Sequence, residues 1–188
     1  MSNAPTISFS HIGIYVRDIA RMETFYTRFL GFTVTDRGDL DTPNGKVGLV
    51  FLSRDPNEHH QIVLATGRPE GSGFNTVNQM SFRVDGLPTL RALYKGMVDG
   101  DMRGEMSEVS PACHGNALSV YVRDPEGNRL ELFIDTPWYV NQPMRVPFDF
   151  SLDDVDLWDW AERHARSLPG FRPRSEWVRE MTQKMGLA

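Results

Sequence analysis

At 188 residues, with 40% apolar and 24% charged side chains, the chain is long enough to bury the core of one ordinary domain. A formal net charge of −5 and a pI near 5.5 argue against nucleic acid or an anionic membrane as partner, because neither would find a dominant basic patch. The lone Cys113 excludes an intramolecular disulfide framework, no apolar run approaches the roughly 20 residues of a membrane span, and MSNAPTIS lacks a secretory pattern, so a soluble cytoplasmic protein is expected.

Residues 7–17, ISFSHIGIYVR, alternate as a strand, with Ile12, Ile14 and Val16 on one face and His11, Gly13 and Tyr15 on the other. Asp18 can cap a helix over about 18–30, whose apolar stripe is Ile19, Met22, Phe25, Tyr26 and Phe29, and Gly31 stops it. Strands follow at about 32–36, 46–53 and 59–65, with Thr42-Pro43-Asn44-Gly45 turning the chain between the first two. The unit is β-α-β-β-β.

A polar linker rich in Gly and Pro, about 67–76, leads to a strand at Asn78–Val84 and a helix over 87–98 carrying Leu90, Leu93, Tyr94, Met97 and Val98. Strands near 105–110, 117–123 and 129–135 complete a second copy of the same order. His11 falls on Gln79 and Tyr26 on Tyr94, each 68 residues apart, while Gln61 falls on Glu131 and Thr66 on Thr136, each 70 apart. Such internal similarity predicts a duplicated structural unit, with modules at about 7–66 and 77–136 inside a domain spanning 6–136.

Residues 137–188 belong to neither copy and predict a helical C-terminal extension. Ser151 or Asp153 can cap a helix to about 166, with Val155, Leu157, Trp158 and Ala161 available to pack and His164 on the surface. Pro173 and Ser175 precede a second short helix ending at Gly186. Trp138, Trp158, Trp160 and Trp177 make this segment one that packs on something, either the body or a second subunit.

The densest chemistry lies in His114–Glu131, HGNALSVYVRDPEGNRLE. Asp124–Asn128 is good hairpin chemistry, and the strand after it holds one carboxylate, Glu131, amid apolar neighbours. A carboxylate there is costly unless exposed, paired or bound to a metal. With Leu130 and Leu132 facing the helices, Glu131 points to the opposite face, as His11 does beside the small Gly13. His60 and Gln61 cannot share a face: the repeat favours Gln61, with Ile62 and Leu64 opposite it. Cys113 beside His114 is a weak candidate nucleophile, and His59 is expected to be solvated.

These residues resemble the vicinal oxygen chelate superfamily, which includes glyoxalase I, bleomycin- and fosfomycin-resistance proteins and type I extradiol dioxygenases. The likeness covers about 7–136. It implies an α+β fold in which two tandem βαβββ modules form a curved mixed sheet around a cup that holds a divalent metal. His114–Glu131 is similar to the extradiol signature: a His, an apolar-Tyr pair, a D-P-x-G turn and a ligand Glu. Ala112 departs from the small set usual two residues before that His. His59-His60 before an apolar strand resembles the His-His strand of those enzymes, and Ser10-His11-Ile12 stands where their first metal-binding His is found.

The resemblance implies His11, Gln79 and Glu131 as metal ligands, with Gln61 as a fourth, and His60, His114 and Tyr121 as catalytic groups. It favours His60 over Gln61 as the residue that enters the cup. Where the ring-cleaving enzymes carry a second His, this chain carries Gln79. Three functions follow from this. The first is a ring-cleaving dioxygenase using Fe(II) on a catechol-like aromatic diol. The second is a glyoxalase-like lyase or isomerase with Zn, Ni, Co or Mn on a vicinal-oxygen substrate. The third is a metal-free small-molecule-binding protein of the same fold. A homodimer is the expected assembly.

Overall fold

Alternation of apolar and polar residues builds two four-stranded sheets in this chain, each backed by one helix. The structure, a computed structural model, describes residues 7–71 and 75–187; residue 6 and the middle of the linker, 72–74, lie outside the described residues. Among those described, the chain divides into one body of residues 7–78 with 124–128 and a second of 79–123 with 129–187.

In the first body the elements are β1 (Ile12–Val16), α1 (Ile19–Arg28), β2 (Thr33–Thr42), β3 (Gly45–Ser53) and β4 (Ile62–Thr66). The sheet order is β1-β4-β3-β2, with β1 parallel to β4 and the other pairs antiparallel. Asp18 caps α1 by accepting from the Arg21 N–H at 2.9 Å. Met22, Phe25 and Tyr26 of α1 are buried with Ile14, Val16, Leu52, Ile62 and Leu64. Removing each such side chain from water stabilises the fold by about 1.5–3 kcal/mol.

The β7–β8 turn, residues 124–128, also belongs to this body. Asp124 Oδ1 accepts from the Glu126 and Asn128 N–H groups at 2.9 Å each, and burial raises its pKa. Glu126 Oε1 accepts from the Arg17 and Asp18 N–H groups at 2.7 and 2.9 Å, placing an anion just before α1 where the helix dipole favours it. The D-P-E-G-N stretch is therefore structural as well as a turn.

The second body has β5 (Met80–Arg83), α2 (Leu87–Val98), β6 (Ser107–Cys113), β7 (Ala117–Arg123) and β8 (Arg129–Asp135), in the order β5-β8-β7-β6. It continues through β9 (Trp138–Tyr139), α3 (Asp154–Arg166), β10 (Arg172–Pro173) and α4 (Arg174–Lys184). Asp153 caps α3 by accepting from the Asp156 N–H at 2.9 Å. Leu157 and Ala161 of α3 are fully buried, and Trp158 meets Trp138 edge-on at 5.9 Å. Arg91 of α2 binds the segment leading into α3 through the Phe150 and Leu152 carbonyls and Asp154.

Several local expectations need correction. Strand β2 runs to Thr42, well past 36, because its ladder with β3 continues to the turn although both of its faces are largely exposed and polar. Strands β1 and β4 begin at Ile12 and Ile62, so His11, His59, His60 and Gln61 sit before strands, not in them. Strand β6 lies at 107–113 rather than 105–110. Val155 is 71% exposed and does not pack, and Ser175 lies inside α4. His164 is half-buried, its ring stacked on Trp160 at 5.6 Å.

Candidate functional site

Strand β8 buries Leu130, Leu132 and Ile134 on its helix-backed face, which leaves Glu131 on the other. Register places Ser81 of β5 and Tyr121 of β7 directly beside it, one on each side. Glu131 is only 8% exposed. Its Oε1 accepts from Ser119 Oγ at 2.7 Å and Tyr121 Oη at 2.8 Å. Its Oε2 accepts from Ser81 Oγ at 2.6 Å and Gln79 Nε2 at 2.8 Å. An ionised carboxylate has about four lone-pair sites, and four neutral donors fill them.

Tyr121 links this carboxylate to an imidazole. Its hydroxyl lies 2.9 Å from His114 Nε2, and His114 Nδ1 lies 2.8 Å from the Met144 carbonyl. A carbonyl only accepts, so Nδ1 carries a proton and Nε2 is the atom left to exchange one. The phenol has a single proton, while both of its neighbours, Glu131 and a neutral Nε2, are acceptors. One further proton completes the chain, with Nε2 donating to Tyr121 Oη and Tyr121 donating to Glu131. Burial, with the bond to Glu131 and its charge, pushes the Tyr121 phenol up to about 12, so it remains a donor at ordinary pH. The Arg129 and Arg145 guanidinium groups lie 4.8 and 5.1 Å from its ring centre.

His114 is held by its surroundings. Gln142 Nε2 donates to its carbonyl at 2.7 Å, and the next residue, Gly115, adopts φ +71°. A Cβ at Gly115 would stand 2.2 Å from Val140 Cγ2, so only glycine fits this turn. Cys113 beside it is fully buried, and burial pushes its thiol pKa up, which makes it an inert core residue.

In the first body, the parallel register Ile12↔Ile62 brings His11 and His60 together, with ring centres 4.2 Å apart. His60 Nδ1 is 2.8 Å from His59 Nδ1, so one of the two donates and the other accepts. Burial, with the charges of His11 and His59, lowers the His60 pKa. His59 is exposed and reaches Asp36 at 3.4 Å. Gln61 turns elsewhere: its Oε1 accepts from the Arg54 N–H at 2.9 Å and so fixes a bend of the backbone. Of the expected residues, Gln79, His114, Tyr121 and Glu131 therefore meet in the second body, and His11 and His60 meet in the first.

Donor chemistry decides whether a divalent metal suits the second body. The Gln79 amide presents an N–H to Glu131, and the carboxylate has no lone pair left to give. Among the described residues, no group of three or more His, Cys, Asp or Glu is arranged to hold a metal ion. In the second body, Gln79 and Glu131 as arranged turn their polar atoms to each other and do not fit the expected metal.

Comparison with known proteins places the chain. A family model described as the Glyoxalase/Bleomycin resistance protein/Dioxygenase superfamily matches residues 8–132. The chain belongs to this superfamily. It is 28% identical over 182 residues to a 1,2-dihydroxynaphthalene dioxygenase from Pseudomonas sp. (strain C18), covering 90% of this chain and 56% of that one. It is 26% identical over 161 residues to a biphenyl-2,3-diol 1,2-dioxygenase 2 from Rhodococcus globerulus, covering 77% and 78%. The chain thus spans about half the length of the first of these relatives. Among solved structures, a glyoxylase/bleomycin resistance protein/dioxygenase domain from Frankia sp. EAN1pec matches with a TM-score of 0.55 and 21% identity, over 70% of this chain and all of that one. That likeness confirms the α+β vicinal oxygen chelate fold. No helix among the described residues of this superfamily member is long and apolar enough to cross a membrane.

Sequence reasoning missed Ser81 and Ser119, and the arginines beside Tyr121. The signal for the serines was present. Each stands two residues from Gln79 or Tyr121, so period-two alternation puts all of them on the Glu131 face. Arg145 and the Met144 carbonyl come from a segment outside the repeat, for which no pattern gave a position.

Proposed function

We propose that this superfamily member handles a small aromatic diol, with the His114–Tyr121–Glu131 chain receiving one of the diol's hydroxyls. The observation that carries the reading is the continuous hydrogen-bond chain from the Met144 carbonyl through His114 and Tyr121 to Glu131: with Nδ1 donating, a neutral His114 offers Nε2 as proton acceptor beside Tyr121 Oη. Glu131 then balances the positive charge that forms, from 3.9 Å. The names of two relatives, which act on 1,2-dihydroxynaphthalene and biphenyl-2,3-diol, support this substrate class.

Ring cleavage by dioxygen is the finer reading, and those names support it too. It requires a redox-active metal, for which Fe(II) is favoured over Zn, Ni, Co or Mn. The second body's donors do not fit such an ion, so its residues are assigned only to binding the diol and to holding and moving its proton.

Calorimetric titration with catechol, 1,2-dihydroxynaphthalene and biphenyl-2,3-diol tests the proposal. Tyr121→Phe and His114→Ala each remove one hydrogen bond and should weaken binding about tenfold, the effect of about 1.4 kcal/mol. Unchanged affinity in both variants would remove this chain from the binding site. Oxygen consumption on the same diols after anaerobic Fe(II) treatment tests ring cleavage separately.

A further inference from the structure

We infer that Gln79 keeps Glu131 a hydrogen-bonded anion and bars it from metal ligation, which makes the second body a metal-free site for a neutral hydroxylated aromatic. The inference rests on the diol reading above and deepens it by naming what fills the site in place of a cation.

The arrangement around Oε2 of Glu131 carries it. Gln79 Nε2 donates to this oxygen at 2.8 Å and lies 3.1 Å from Ser81 Oγ, which itself donates to the same oxygen at 2.6 Å. Three groups close a small ring of hydrogen bonds on the exposed side of the carboxylate, since Ser81 is exposed and Gln79 half-buried. The other oxygen, Oε1, is taken by Ser119 and Tyr121 on the buried side. A cation approaching Glu131 must therefore displace a donor from whichever oxygen it takes.

The orientation of the Gln79 amide is not arbitrary. Turned over, it would set its own carbonyl oxygen against a carboxylate oxygen at hydrogen-bond distance, so the charge on Glu131 holds the N–H inward. Gln79 Oε1 is then the acceptor turned away from the carboxylate. It can take a hydrogen bond from a neutral diol hydroxyl, while His114 Nε2 takes a proton from the neighbouring one. An imidazole at the same position would offer a lone pair where the amide offers an N–H. Divalent iron sites are built from imidazole and carboxylate, and an amide carbonyl is a poor replacement.

The test uses the full chain after anaerobic incubation with Fe(II), and in parallel with Co(II) as a spectroscopic probe, followed by desalting and elemental analysis. Wild type should retain well under one equivalent of either metal. Gln79→His should gain Co(II) with visible absorption bands, and adding Glu131→Gln should abolish that gain. Near-stoichiometric metal in wild type that is lost in Glu131→Gln would overturn the inference. So would a Gln79→His protein with an unchanged melting transition that gains no Co(II). A measurement on wild type alone guards against misfolding of the variant: diol affinity with and without EDTA should agree, and a tenfold loss with EDTA would overturn the inference. Absence of both metal and diol binding would overturn the diol reading and the aromatic ligand named here, while the exclusion of metal by Gln79 would stand.

Discussion

The two bodies repeat one fold and spend it on different chemistry. Gln61 and Glu131 align in the sequence repeat, yet Gln61 sits before β4 with its amide on the Arg54 backbone, while Glu131 lies inside β8 and gathers four side-chain donors. His11 and Gln79 precede the first strand of each sheet at matching places, and the His11 ring lies against His60 at a tilt while Gln79 bonds to Glu131. The apolar faces, by contrast, have stayed alike: Leu64 and Leu132, on the last strand of each sheet, are 0% and 2% exposed. Duplication preserves what packing demands of every copy, and the open face is left to diverge.

Substitutions can break or sharpen that contrast. The largest effects should come from Leu64→Ala and Leu132→Ala, each costing about 2–5 kcal/mol by urea unfolding, because both leave a core cavity. A large difference between them would mean that the two cores are not equivalent. Next comes Glu131→Ala, which strands buried donors on Ser119 and Tyr121 and should cost about 3 kcal/mol. Gln61→Ala, at the residue that aligns with Glu131 in the sequence repeat, loses one neutral hydrogen bond and should cost about 1 kcal/mol. Equal losses would erase the distinction drawn between the two positions.

A smaller effect should appear in alkali. The folded-state pKa of Tyr121 is raised, so its contribution to stability is complete below the unfolded phenol value near 10 and is lost as pH rises through about 12. The phenolate absorbance of wild type minus Tyr121→Phe should therefore show no titration step near 10. A step there would mean that the phenol is solvated and not bonded to Glu131. The smallest effect concerns the first body's surface. Arg37 bonds Glu23 and lowers its pKa, so the pair's contribution is present above about 4.5 and lost as pH falls through the folded value. Arg37→Ala should flatten that part of the acid-unfolding profile.

Much of this was legible in the chain. Helix α2 at 87–98 and strands β7 and β8 at 117–123 and 129–135 fall where periodicity and turn residues put them. Strand β2 was cut short because its outer half, with Asp36, Arg37, Gly38 and Asp39, has no apolar face to announce it; backbone pairing with β3 holds it. Glu131 stood out as a carboxylate between two apolar neighbours, Leu130 and Leu132. Two of its four donors, Ser81 and Ser119, did not; Ser81 reaches it across a parallel pairing, a contact between residues about fifty positions apart.

The sequence alone determined the order of elements, the duplication and the face on which each strand residue lies. These depend on local dihedral preference and on a two- or 3.6-residue period, which any stretch of chain carries within itself. Only the tertiary structure decided which polar atoms on the open face bond to one another. It turned the Gln79 N–H toward Glu131, fixed His114 Nδ1 on the Met144 carbonyl and sent Gln61 to Arg54. Hydrogen-bond choice depends on distances of a few tenths of an ångström between strands remote in sequence, and no residue pattern contains those.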